Sequence, residues 1–442
     1  MKIEIHRGID QIGGCITEIS TDTSRILIDL GKQLPGTNPK LITKDEEEFV
    51  KSIFDKNQKQ NEAVFYTHAH SDHVGLFSHV PDSIPQYISD GGQEIMKTKA
   101  ELIKKGHILN HRVSSTIIKQ EINSESEHNI ANDNFIISKI ESFHTWERPK
   151  PHTCLSAFEI GDIRITPFFN CHSIYDSYMF LIEADGKRIW HTGDFREHGY
   201  IGKGLMPTIL RYATDIDILI TEGTMLGREE ICMPEREVKR KMVCMMNAFK
   251  YVVVLASGTD IERCASIKEA ANTAHKNLYV CSAFANRCMD IFTRREAKAS
   301  NGLFEFNQKY VGFNDRKIPK MKKKGFVLIA NPTHLAFAKE LTEDLNQSEV
   351  LFIYSTWDGY YKDPIQIENN PLYKGFHEAF TNVVDIHTSG HADRQTLKKV
   401  IETINPKEAI VAIHKEENQS LESLVLNETL KNKILNLKTL EL

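Results

Sequence analysis

Short apolar runs with two-residue alternation open the chain at 2–6, 15–20 and 25–29 and predict three successive strands. A helix is expected over 44–58, where Asp45-Glu46-Glu47-Glu48 precede an apolar stripe of Phe49, Val50, Ile53 and Phe54. Acidic residues suit a helix start, and this run reads as a solvated face. Ala63-Val64-Phe65-Tyr66 reads as a buried strand, followed by a helix over 92–105. The polar stretch 120–134 predicts a hairpin tip or loop. Strands resume at 134–140, 155–160 and 163–169, and 178–182 with 187–191 forms a hairpin turning at Asp185-Gly186.

Beyond a strand at 217–220 the rhythm changes. Helices at 235–249, 260–273 and 335–346 alternate with strands at 251–255, 278–280, 326–330 and 351–354, the pattern of an α/β layer with a parallel sheet. A strand at 383–387, a helix at 393–403 and a strand at 408–413 close the chain. The expected organisation is a first domain over 1–222, an inserted domain over 223–380, and a return to the first over 381–442. A length of 442 residues also exceeds one ordinary core.

Composition is that of a globular protein, with 40% apolar and 26% charged residues and a net charge of -5. A polyanion partner would therefore need a local basic groove. The run Arg316-Lys-Ile-Pro-Lys-Met-Lys-Lys-Lys324 is one candidate, and its plain reading is a solvated basic loop. No stretch approaches the ~18 apolar residues of a membrane span, and the start lacks a signal-peptide core, so a cytoplasmic protein is expected. The eight cysteines are scattered without a Cys-x-x-Cys pair, which favours reduced thiols over a disulfide framework.

Chemistry gathers at strand ends. Behind 63–66 stands Thr67-His68-Ala69-His70-Ser71-Asp72-His73, with four metal-capable side chains in six positions. One short loop of this kind can feed two adjacent cations. His172 follows the strand 163–169, and Asp194 lies in Thr192-Gly193-Asp194-Phe195-Arg196 after another. Glu222 follows 217–220, His391 follows Ser389-Gly390, and His414 follows 408–413. Asp29 ends an apolar strand, where a carboxylate is costly unless paired. Ser257-Gly258-Thr259 before a helix could offer amides to a phosphate or act as an ordinary N-cap. A lone histidine is more often structural than a ligand, and His144, His152, His191 and His198 are read that way.

The pattern His68-x-His70-x-Asp72-His73 resembles the metallo-β-lactamase superfamily. With the α/β insert, Glu222, Ser389-Gly390-His391 and a strand ending in His414, the chain resembles the β-CASP nucleases, the RNase J and cleavage-and-polyadenylation endonuclease group. His172-Ser-Ile-x-Asp-Ser177 and His191-Thr-Gly-Asp-Phe195 look most like RNase J. The resemblance implies an α/β fold, an αββα metallo-β-lactamase sandwich with an inserted parallel-sheet β-CASP domain. It implies two Zn2+ per chain, or Mn2+, with His68, His70 and His172 on one cation, Asp72, His73 and His414 on the other, and Asp194 bridging. Asp29 would support the loop through hydrogen bonds without binding metal.

The activity so implied is hydrolysis of single-stranded RNA, exonucleolytic or endonucleolytic, by a hydroxide activated between two cations. Glu222 would orient His391 as the general acid, Asp72 would serve the chemistry as a ligand, and Ser257, Ser389 and Gly390 would contact substrate. No membrane partner is expected, and a homo-oligomer or protein complex stays open. Three rivals stand beside this. A thioesterase or lactonase of the superfamily has no use for the insert. A DNA nuclease of the β-CASP group carries an apolar residue where His414 stands. A non-catalytic scaffold would have lost ligands. Two departures from RNase J are the missing Gly-rich turn near Asn331-Pro332-Thr333-His334 and the 28 residues after His414, where RNase J has a further domain.

Overall fold

A computed structural model describes residues 1–56, 58–106, 125–148 and 156–441, apart from the side chains of 125–130. His152 lies outside the described residues. The chain divides into two compact units, one of Met1–Gln93, Lys139–Cys232 and Gly390–Leu442, the other of Glu94–Ser138 and Met233–Ser389.

The first unit holds two seven-stranded sheets. In the first sheet, Thr439–Glu441, Lys2–Arg7, Ile16–Ser20 and Ser24–Ile28 run antiparallel to one another, and Asn61–Phe65, Gln86–Ser89 and His144–Trp146 continue in parallel. In the second, Ile434–Leu435, Ala409–Ile413, Ile218–Glu222 and Lys187–His191 are parallel, and Ser177–Ala184, Ile163–Asn170 and Phe158–Ile160 alternate. The hairpin turn carries left-handed backbone at both Asp185 (φ 48°) and Gly186 (φ 73°), as a two-residue loop of this twist requires.

Alternation along each strand builds the core. Ile3, Ile5, Ile26, Ile28 and Phe65 from the first sheet meet Ile165, Phe180, Ile218, Ile220 and Val411 from the second. The intervening residues of the second sheet, such as Trp190, Leu219 and Ile410, face the other way. They bury against Leu205 and Ile209 of the helix Leu205–Tyr212 and Leu397, Val400 and Ile401 of the helix Arg394–Ile404. The sandwich with its outer helices is the αββα arrangement the sequence implied.

The second unit is built on a six-stranded sheet, entirely parallel, in the order Lys309–Tyr310, Leu278–Val280, Phe326–Ala330, Tyr251–Leu255, Val350–Tyr354 and Val383–Asp385. The strands Tyr251–Leu255, Phe326–Ala330 and Val350–Tyr354 are buried along their whole length, as their unbroken apolar runs require. The helix Glu235–Ala248 leads into this sheet, and helices including Ile261–Thr273, Ala283–Glu296 and Leu335–Thr342 connect its strands.

Two expectations are overturned. From 125 onward the loop expected at 120–134 and the strand expected at 134–140 are replaced by one helix, Glu125–Glu141, and 120–124 lie outside the described residues. Ile136, Ile137 and Ile140 gave a β-branched run, but Ile140 and Lys139 are buried while Phe135 is 46% exposed, a one-sided burial of helical period. Lys139 Nζ is tied to Val80 O at 2.7 Å, so the buried cation is satisfied. The basic run is also no loop. Pro319 stands in the first turn of the helix Ile318–Lys324, which buries Met321. The described cysteines are free thiols, and no helix among the described residues is long and apolar enough to cross a membrane.

Candidate metal centre

Apart from Gly390 and His391, which precede the helix Arg394–Ile404, the candidate side chains of the first unit sit at or just beyond the ends of sandwich strands. Two of these ends, Asp29 (φ 65°) and His414 (φ 54°), take left-handed backbone, a sparsely populated conformation outside glycine that turns the chain abruptly off the sheet. Gly31 lets the turn after Asp29 lie against the His70–His73 turn, since a Cβ there would meet Asp72 O at 1.7 Å.

Hydrogen bonds fix which nitrogen of each ring points inward. The buried Asp29 carboxylate accepts from Thr67 N at 2.7 Å, from Thr67 Oγ1 at 2.8 Å and from His73 Nδ1 at 2.7 Å. A carboxylate can only accept, so His73 carries its proton on Nδ1 and Thr67 spends its hydroxyl proton on Asp29. Thr67 Oγ1, 2.9 Å from His68 Nδ1, must then accept from that ring. His172 Nδ1 donates to Gly390 O at 2.7 Å, and His414 Nδ1 lies 2.7 Å from Thr224 Oγ1. The outer nitrogens of His68, His73 and His172 are tied, so their Nε2 atoms face the interior, and the outer nitrogen of His414 is engaged by Thr224.

The ring nitrogens converge in two places. His68 Nε2 and His172 Nε2 lie 3.1 and 3.2 Å from His70 Nδ1. Nitrogens bound at about 2.0–2.1 Å to a tetrahedral cation stand about 3.3 Å apart, so the trio has the shape of three tetrahedral corners. The second place collects His73 Nε2, 3.1 Å from Asp194 Oδ2 and 3.8 Å from Asp72 Oδ2, and His414 Nε2, 3.1 Å from Asp72 Oδ2. His73 Nε2 is buried with no well-formed hydrogen bond. A ring lone pair facing carboxylate oxygens in a buried site is repulsive without a cation between them. Asp194 Oδ2 reaches both places, 3.1 Å from His73 Nε2 and 3.7 Å from His172 Nε2. The residues therefore fit a metal pair.

Charge states agree with this. Burial, and then the neighbouring rings, push His68 and His172 well down, and burial pushes His70 down to about 4, so all three are neutral donors near pH 7. Burial alone would raise Asp72 and Asp194, but the imidazoles outweigh it and hold both below the usual carboxylate range. His73 goes the other way: burial opposes its charge, yet Asp194 and Asp29 raise it well above the ordinary value. The second place thus attracts positive charge.

Beside the two groups stands His391. Its Nδ1 is 2.8 Å from Glu222 Oε2, 3.1 Å from Thr224 Oγ1 and 3.7 Å from Asp194 Oδ2. Glu222 is fully buried and its Oε1 accepts from Phe195 N at 2.8 Å. Burial lowers the affinity of His391 for its proton, and Glu222 and Asp194 more than restore it. Gly390 is also held by space, because a Cβ there would meet Ser173 Oγ at 2.3 Å.

The other sequence candidates are placed as follows. Ser389 is buried at the end of the second unit's segment, and Ser257, which follows the strand Tyr251–Leu255, bonds Thr259 Oγ1 at 2.8 Å. His144, His191 and His198 lie outside the convergent groups of His, Cys, Asp and Glu side chains among the described residues. His191 is buried, pushed down to about 3, and accepts from Gly193 N at 3.1 Å, which braces the turn before Asp194. Three residues carry site duties that the sequence reading did not assign. Thr67 and Thr224 orient rings, and Cys15 lies against His73 and His414 as a buried thiol whose pKa burial raises. Thr67 stands inside a quoted motif, where a hydroxyl next to a candidate ligand was the available signal.

Residues 381–429 match the family described as the Zn-dependent metallo-hydrolase RNA specificity domain. An RNase J-like protein of Methanocaldococcus jannaschii is 27% identical over 251 residues, covering 54% of this chain and 47% of that protein. Ribonuclease J of Sinorhizobium meliloti is 21% identical over 302 residues, covering 64% of this chain and 52% of that one. The chain thus spans about half the length of these relatives. A solved structure of a protein of unknown function from Enterococcus faecalis V583 shares the fold, with a TM-score of 0.66 and 17% identity over 97% of this chain and 98% of that one.

Proposed function

Because the chain belongs to the metallo-β-lactamase-fold β-CASP family that includes RNase J, we propose that it is a ribonuclease using two cations, Zn2+ or Mn2+, to hydrolyse phosphodiester bonds of single-stranded RNA. The second unit, a parallel α/β sheet, is then the inserted β-CASP domain. His68, His70 and His172 would hold one cation, Asp72, His73 and His414 the other, and Asp194 both. The pair would supply an activated water at neutral pH and charge neutralisation at the attacked phosphate.

The observation that carries the reading is the Glu222–His391 pair at 2.8 Å, which adjoins Asp194 and His414 and stands outside the His68–His70–His172 trio. A hydrolase of small activated esters needs no strong acid for its leaving group, whereas a ribose oxygen leaves poorly without a proton. Glu222 fixes the ring through Nδ1 and stabilises the imidazolium, so the proton delivered to the departing oxygen is the one on Nε2. The Gly390 carbonyl keeps His172 in the tautomer that offers Nε2. Asp29 and Thr67 do the same for His73 and His68. Ser389, next to Gly390, remains a candidate substrate contact, and Ser257 a candidate on the second unit.

The test is turnover of RNA labelled at either end, beside a matched DNA, a thioester and a lactone under the same metal and salt. RNA cleavage with little DNA cleavage is expected, and the product sizes separate exonuclease from endonuclease. Equal or faster DNA cleavage would overturn the RNA assignment. Turnover of the thioester or lactone alone would replace it with a small-molecule hydrolase.

A further inference from the structure

On the second unit, residues 309–324 carry seven basic side chains and one acidic one, in a chain whose net charge is -5. The segment begins with Lys309–Tyr310, the edge strand of the parallel sheet, and ends with the helix Ile318–Lys324. Met321 buries in the core of this unit and Ile318 packs against it, which turns Lys320, Lys323 and Lys324 outward.

Some of the charge is accounted for within the chain. Lys322 pairs with Asp344 at 2.5 Å, and Lys317 reaches Asp315 at 3.2 Å and Tyr310 O at 2.9 Å. Arg316, Lys320, Lys323 and Lys324 are exposed and make no ion pair among the described residues. Lysines in the last turn complement the helix dipole, which gives Lys323 and Lys324 a structural reason. The same dipole opposes Arg316 and Lys317 at the helix start, and like charges at i, i+3 and i+4 repel. Neither ion pairing nor the helix dipole therefore accounts for Arg316 and Lys320.

Two aromatic rings belong to the same segment. Tyr310 is 42% exposed and Phe313 is 52% exposed, although Phe313 also rests edge-on against the buried Phe337, with ring centres 5.1 Å apart. Exposed rings beside unpaired cations make a surface on which bases stack while phosphates are neutralised. We propose that this face binds a single RNA strand, with Arg316, Lys320, Lys323 and Lys324 on the phosphates and Tyr310 and Phe313 on the bases. The proposal rests on the ribonuclease reading for the choice of RNA.

The test uses the full chain with chelator present, so that strands bind without turnover, and a fluorescent 20-nucleotide RNA without secondary structure. Lys320→Glu/Lys323→Glu/Lys324→Glu should weaken binding at least tenfold at low salt and flatten the slope of log K against log salt by about 2, near 0.7 per lost phosphate contact. Phe313→Ala should weaken binding roughly tenfold and leave that slope unchanged. With metal restored, cleavage of a four-nucleotide RNA should be the same in the triple variant and the wild type. Should the charge reversal unfold the helix, Lys320→Gln/Lys323→Gln/Lys324→Gln asks the same question. Unchanged affinity and slope in a folded variant would overturn the proposal. If the wild type cleaves no RNA but the variant still loses strand binding, the surface stands and the ribonuclease reading falls.

Discussion

Asp29→Asn is the substitution that most directly tests how the site is organised. Asparagine tolerates the left-handed backbone at this position and preserves volume, so neither strain nor a cavity enters. Its carbonyl can still accept from Thr67 N. Its amide then faces His73 Nδ1, now 2.7 Å from the carboxylate, donor against donor. Relief comes from moving the His73 proton to Nε2, which removes the lone pair that would meet a cation. Loss of a charge-assisted hydrogen bond costs about 1.5–3 kcal/mol, and disturbing such a partner of a ligand histidine costs about 10–100-fold in metal affinity. Zinc affinity measured against a competing chelator should fall by that factor, while Asp72→Asn, at a donor itself, should fall further. Thermal unfolding in chelator should show only the smaller, metal-independent loss. An Asp29→Asn protein that binds zinc like the wild type, at any stability, would refute the tautomer argument.

Three more outcomes are expected. His414→Ala should lose metal as well as rate, whereas His391→Ala should keep both cations by elemental analysis and lose roughly 10²- to 10⁴-fold in rate on RNA. The His391 deficit should shrink on a nitrophenyl phosphodiester, whose leaving group needs no proton, and an equal deficit on both substrates would reassign the residue. Gly390→Ala should push the His172 carbonyl partner away from Ser173 and lower zinc affinity, read by the same chelator competition. Asp176 is buried with its pKa pushed up to about 6, by burial first and then by Asp90, so its proton is held more tightly folded than unfolded. That contribution is full below about pH 4 and is lost as pH rises through about 6, at most about 3 kcal/mol. Asp176→Asn should therefore gain on the wild type in urea midpoint between pH 4.5 and 7, and a pH-independent difference would sink this account.

Much of the candidate centre was legible because its proposed ligands are written at strand ends, where an apolar run makes a polar residue conspicuous. His68, His70, Asp72 and His73 were singled out by their own loop alone. Asp29 was legible for the same reason, as a carboxylate that had to be paired, and the structure pairs it with Thr67 and His73. Thr224 and Gly390 were not, because their partners His414 and His172 are 190 and 218 residues away in sequence. Nothing local marks a hydroxyl or a carbonyl for such a duty. The helix Glu125–Glu141 was missed for a different reason. Its β-branched residues have strand propensity, and the burial that selects the helix falls on Lys139 and Ile140, a pairing that alternation cannot anticipate.

The site's organisation follows from what holds the outer nitrogens. Asp29, Thr67, the Gly390 carbonyl and Thr224 come from four separate segments, and each engages the far side of a ring. The sandwich therefore sets the tautomers before any cation arrives, and the lone pairs converge because the strand ends converge. Three buried carboxylates, Asp29, Asp72 and Asp194, would be unstable together in an apolar core. Here they divide the work, with Asp29 facing outward to a ring proton and Asp72 and Asp194 facing inward to ring lone pairs. The inward pair faces ring nitrogens, Asp194 that of His73 and Asp72 that of His414. A cation at that point relieves both the carboxylates and the rings, so its binding should stabilise the fold as well as serve the chemistry.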